Sequence, residues 1–129
     1  MVEVKLICYL RGDDFSESDI EKSTGIKIHD VTNHKTLNIP IKTYQKVATI
    51  IPEENNVIGD DYNLLIKNFS DFIKNKVPII KKYGCDTIAL LADVKYVDQC
   101  NMSLDCKVIE SVSASFDSFD ITCYEVENF

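Results

Sequence analysis

The chain has 129 residues, 45% hydrophobic and 27% charged, the make-up of one globular domain (1–129) that buries enough surface to fold without metal or disulfide. Its formal net charge of −7 argues against direct binding of nucleic acid, because phosphate contact draws on clustered Lys and Arg. No charge-free run approaches the roughly 18 apolar residues of a membrane span. Met1–Lys5 has neither the basic start nor the apolar run of a signal peptide. The expectation is a cytoplasmic protein whose 5 cysteines, odd in number and without a Cys-x-x-Cys pair, remain thiols and serve as small buried hydrophobes.

In chain order, residues 2–10 read as a strand: Val2, Val4, Leu6, Cys8 and Leu10 form one face and Glu3, Lys5, Ile7 and Tyr9 the other. Arg11-Gly12-Asp13-Asp14 is a turn. Ser16 is a natural N-cap for a helix over 17–24, with Asp19 at the third helical position, Phe15 and Ile20 placed as a hydrophobic staple, and Gly25 as the stop. Residues 26–41 read as irregular or as a short hairpin turning at Asn33-His34-Lys35.

Thr43–Ile51 is a second substantial strand, ended by Pro52 and the polar run Glu53–Asn56. The strongest helix covers 61–75, with Leu65, Phe69, Phe72, Ile73 and Ile80 on one stripe. It extends toward Lys82, bent or divided by Pro78. Thr87–Lys95 is apolar on both faces and belongs inside a sheet. Ser103 stands where it would cap a helix over 104–114 lined by Leu104, Val108 and Val112, and Phe119–Tyr124 is a last strand. The expected fold class is α+β: an antiparallel or mixed sheet of four to five strands with two to three helices packed mainly on one face.

The motif search excludes the familiar chemistries. There is no phosphate loop, dinucleotide turn, nucleophile elbow, His-Glu-x-x-His pair or cysteine metal clip. His29 and His34 are the only histidines, and their spacing in a loop-like region does not define a metal site. Cys106 near a helix start and Cys100 beside it are the only thiols with an argument for reactivity. No catalytic, cofactor or metal residue is assigned, and the chain reads as a binding protein rather than an enzyme.

The charges are more informative. Asp13, Asp14, Glu17, Asp19 and Glu21 come without a base between them, and the segment from Asp98 onward has Lys107 as its only base. Tyr62–Lys82 is the reverse, with Lys67, Lys74, Lys76, Lys81 and Lys82 against Asp71. Such polarity fits ordinary solvated faces. It also fits an acidic surface that docks to a basic, nucleic-acid-binding protein.

The opening strand, Arg11-Gly12-Asp13-Asp14-Phe15-Ser16, Ile20 and Thr24-Gly25-Ile26 resembles the start of a widespread bacterial family of small domains of unknown function. Ile80-Lys81-Lys82-Tyr83-Gly84, the strand at 87–95, Ser103-Leu104 and Phe119-Asp120-Ile121 resemble its C-terminal part. Members tend to have a glycine, often with a tryptophan, where this chain has Asn33-His34-Lys35 and no Trp. Some members look like immunity proteins that neutralise a bacterial toxin.

The resemblance therefore implies a cytoplasmic immunity protein whose partner is a cognate toxin domain, in particular a nuclease, with no cofactor and no membrane. The expected contacts are Asp13, Asp14, Glu17, Glu53, Glu54, Asp117, Asp120 and Glu125, with Tyr9, Tyr44 and Tyr124 as aromatic anchors. The alternative is a small-molecule-binding or regulatory domain that uses an open sheet face.

Overall fold

The alternation in the first strand dictates the architecture. In the computed structural model, which describes residues 1–33 and 46–129, Val2, Val4, Leu6, Cys8 and Leu10 of β1 (Val2–Gly12) are all buried on one side. The remaining elements are α1 (Glu17–Thr24), β2 (His29–Asn33), β3 (Lys46–Ile50), β4 (Asn56–Ile58), α2 (Tyr62–Ile73), α3 (Val77–Lys82), β5 (Thr87–Tyr96), α4 (Cys106–Ser115) and β6 (Ser118–Glu125).

They build a six-stranded mixed sheet in the order β2-β3-β1-β5-β6, with β4 beside β1. β3 takes the second half of one β1 edge and β4 the first half, and β5 runs antiparallel along the whole of the other edge. β6 is parallel to β5. A parallel neighbour requires a crossover, and α4 supplies it.

The fold is α+β as expected, but with six strands and four helices among the described residues rather than four to five and two to three. The extra strand is β4, three residues hidden at the end of a polar run and recruited by the free half of a β1 edge. The extra helix is α3. Pro78 lies in its first turn, where a missing N–H costs nothing, and so divides the long apolar pattern in two. The first helix is as read: Ser16 Oγ accepts from the Asp19 amide, Phe15 and Ile20 are buried, and Gly25 closes it with φ 74°.

The start of α4 differs. Ser103 is no cap, because its amide is drawn to the Tyr62 hydroxyl (2.9 Å) and its carbonyl to the Asn63 side chain (2.8 Å). The helix begins one turn-fragment later, after Asp105.

Leu65, Phe69, Ile73 and Ile80 pack inward as expected, but Phe72 does not and is 52% exposed. Residues spaced by four hold one line on a helix, and Phe72 sits beside that line. The expectation of cysteines as buried hydrophobes holds for Cys8 and Cys85 alone; Cys100 is half-buried, and Cys106 and Cys123 are exposed.

The helices lie against the even-numbered face of β1. The opposite face, with Ile7, Tyr9 and Arg11 of β1, Leu91 and Asp93 of β5, and Asp120, Thr122 and Tyr124 of β6, has no helix over it among the described residues.

Candidate functional site

β6 is the place where the expected contact residues and open backbone coincide. Along this strand Asp120 and Glu125 are exposed and enter no ion pair among the described residues. Tyr124 is 41% exposed. Its hydroxyl donates to Asp93 (3.4 Å), which also accepts from Thr122 (2.9 Å), and Lys95 lies 5.9 Å from its ring centre. The aromatic ring is thus held in place while leaving part of its surface free.

The α4 crossover sets an apolar groove against β6. Val108, Val112 and Phe116 form its floor, Leu104 and Phe119 its ends, and the space encloses about 250 Å³. Ile109 is 51% exposed at the helix side, and Ile121 is 46% exposed on the helix-facing side of β6. The floor is held firmly from below. The Phe69 and Phe116 rings stack at 5.8 Å, and the Ser115 hydroxyl donates to the Ser70 carbonyl at 2.7 Å.

Asp117 has another duty. One carboxylate oxygen accepts from the Ile88 amide (2.8 Å) and the other from Lys81 (2.9 Å). Burial alone would raise its pKa. The Ile88 amide and the Lys81 ammonium outweigh that and leave the carboxyl below its ordinary value. Asp117 therefore fastens the start of β6 to β5.

Glu17 is likewise engaged. The Lys46 ammonium, almost fully buried, donates to the Glu17 carboxylate and to the Phe15 carbonyl (2.6 Å), and lies 4.9 Å from the Phe15 ring centre. That bond lowers the Glu17 pKa. Asp13 and Asp14 are exposed in the bend after β1. Tyr9 is half-buried on the helix-free sheet face, with Arg11 5.5 Å from its ring centre. Tyr44 and His34 lie outside the described residues.

Glu53 and Glu54 belong to a different surface. They edge a cleft of about 370 Å³ between the α1–β2 connection, the β3–β4 connection and α2. Ile26, Ile50, Leu65 and Phe69 make its base, while Ile51 and Phe72 remain exposed at its mouth. The Lys76 ammonium stands 4.2 Å from the Phe72 ring centre.

The candidate acids therefore fall at three places: the end of the sheet beyond β1, the mouth of this cleft, and β6. Only β6 combines them with a held aromatic ring and an open strand. No family model matches the chain, and no curated protein and no solved structure is similar to it.

Among the described residues, no three side chains of metal-ligand type are gathered, and no helix is long and apolar enough to cross a membrane. The Cys8 and Cys85 thiols are pushed up by burial, Cys85 to about 11. Cys123 is raised by burial and by its hydrogen-bonded neighbour Cys100. Sequence reasoning missed Ile109, Ile121 and Ile51 as exposed surface and placed Phe72 on the inward stripe. The signal available for Ile109 and Phe72 was an apolar residue one position off a helical stripe.

Proposed function

We propose that the chain is an immunity-type binding protein of the cytoplasm. It captures and neutralises a cognate bacterial toxin domain, a basic nuclease, and performs no catalysis of its own. One observation carries the reading: the rim of β6, where Asp120 and Glu125, in no ion pair among the described residues, stand beside the half-exposed Tyr124 and an apolar groove. An apolar centre with a charged border is the common arrangement of a protein-binding surface. Excess negative charge speeds encounter with a basic partner and orients it. The resemblance of the Arg11–Ser16 and Ile80–Gly84 segments to immunity-like domains points the same way.

The test is co-expression with candidate nuclease toxin domains, one of which should be the cognate partner. Cells should survive, and the purified pair should associate at a rate that falls steeply with salt. Asp120→Asn with Glu125→Gln should slow that association by about tenfold and flatten its salt dependence. Unprotected cells and no complex would refute the proposal.

The second reading is a small-molecule-binding or regulatory domain. The cleft under Phe72, about 370 Å³ and apolar at its base, favours it, although it lies beside α2 and not on the helix-free sheet face. An ordered apolar ligand there, with Phe72→Ala abolishing binding, would support this reading over the first.

A further inference from the structure

The two edges of the sheet are built differently. At the β2 edge the register with β3 shifts between His29 and Thr32, and Asp30 adopts a left-handed φ of 50°. Such a bulge twists an edge away from further pairing. The β6 edge has no such device. Its pairing with β5 runs without a shift from Ala89↔Ser118 to Tyr96↔Glu125, and the strand contains neither Lys nor Pro, the residues that usually blunt an edge. Among the described residues, the strand order ends there.

We propose that β6 accepts an extended segment of a protein partner as an added strand, and that this segment alternates apolar and basic residues. This inference rests on the docking reading above and specifies its mode.

The alternation follows from the pleat. Successive side chains of an added strand point to opposite faces. On one face they meet the groove between β6 and α4, with its Val112, Phe116 and Phe119 surface and the exposed Ile109, so apolar side chains are required. On the other they meet Asp120 and the Asp93–Thr122–Tyr124 cluster, which favours Lys or Arg.

Charge selects the occupant. A second copy of this chain would bring another net charge of −7 and another Asp120 to the same ribbon, whereas the basic side chains of the added segment share a face with Asp120 and neutralise it. Backbone bonds would supply affinity, and the groove and the acids would supply selectivity.

The test uses an eight-residue peptide, the length of β6, alternating Val and Lys and blocked at both ends. Titration calorimetry should detect binding, and backbone amides of β6 should shift and gain protection from exchange. Val-Glu alternation should not bind.

Two further peptides are N-methylated at alternate amides, one on the odd positions and one on the even. Strand addition uses one parity of N–H groups only. One methylated peptide should therefore lose about tenfold or more in affinity, because several ladder hydrogen bonds vanish together, while the other stays close to the parent. Equal effects of the two methylations, unmoved β6 amides, or a dimer of the chain that buries β6 and excludes the peptide would overturn the inference.

The two proposals fail separately. A toxin domain held through Asp120 and Glu125 without a parity effect ends strand addition and leaves docking intact. A parity effect with no toxin domain bound does the reverse.

Discussion

At one corner of the molecule Glu17 grips Lys46, whose ammonium also bonds the Phe15 carbonyl, and Gly12 and Gly84 bring β1 and the turn before β5 into close approach. Along β6, Asp120 and Glu125 enter no ion pair among the described residues and are exposed beside an apolar groove. Both regions are acidic in sequence. In the first, the acid helps to complete the fold, because a buried lysine needs a counter-charge and its donors need acceptors. In the second, the acids have no cation among the described residues. Acidity alone therefore does not mark a binding surface; the distinction is whether the carboxylate already has its cation.

The comparison yields graded expectations. The largest is at the corner's backbone. A methyl group on Gly84 would lie 2.8 Å from the Asp14 carbonyl oxygen, at a φ of 105°. Gly84→Ala should cost about 2–4 kcal/mol, from crowding and backbone strain together, read as a lower urea midpoint with the same slope. An unchanged midpoint would show that the corner is not tightly built.

Next is Lys46→Met, which removes the cation but keeps the stem. It strands the Phe15 carbonyl and leaves Glu17 alone. Because the Glu17 side chain is 37% exposed, water absorbs part of the loss, and about 1–2 kcal/mol is expected.

A smaller effect appears in acid. The Glu17 and Asp117 carboxyls both sit below their ordinary pKa in the folded chain. Their contribution is therefore whole above the unfolded carboxylate pKa of about 4. It is lost as pH falls through the lower folded values. Stability should decline with falling pH below about 4, and Glu17→Gln combined with Asp117→Asn should flatten that decline in pH-dependent thermal melts.

The smallest effect on the fold belongs to β6. Asp120→Lys and Glu125→Lys should each change stability by no more than about 0.5 kcal/mol. The same changes should slow association with a basic partner far more than Asp13→Asn or Asp14→Asn does. If β6 proves as costly to alter as the corner, the division between the two regions is wrong.

Much of the fold was legible because it depends on local periodicity. The inward set of β1, the Ser16–Gly25 helix and the Val108–Val112 stripe were readable from spacing alone, since burial on one face imposes a period of two or of about 3.6. Where Pro78 would act was readable too. That α3 begins there as a separate helix was not, because a kink and a break look alike in sequence. β4 was unreadable for a different reason: three residues carry no period, and only the vacant half of a β1 edge made them a strand.

The candidate surface divides in the same way. The sequence by itself determined which residues are acidic, that β6 alternates, and that no familiar catalytic motif is present. Only the tertiary structure decided that Glu17 and Asp117 are occupied, that Asp120 and Glu125 lie on a strand at the end of the sheet order among the described residues, and that Ile109 lines a groove. The physical reason is that periodicity reports which face of an element is buried, whereas a carboxylate's freedom depends on a lysine or an amide that arrives from far away in the chain, as Lys46 does for Glu17 and Lys81 does for Asp117.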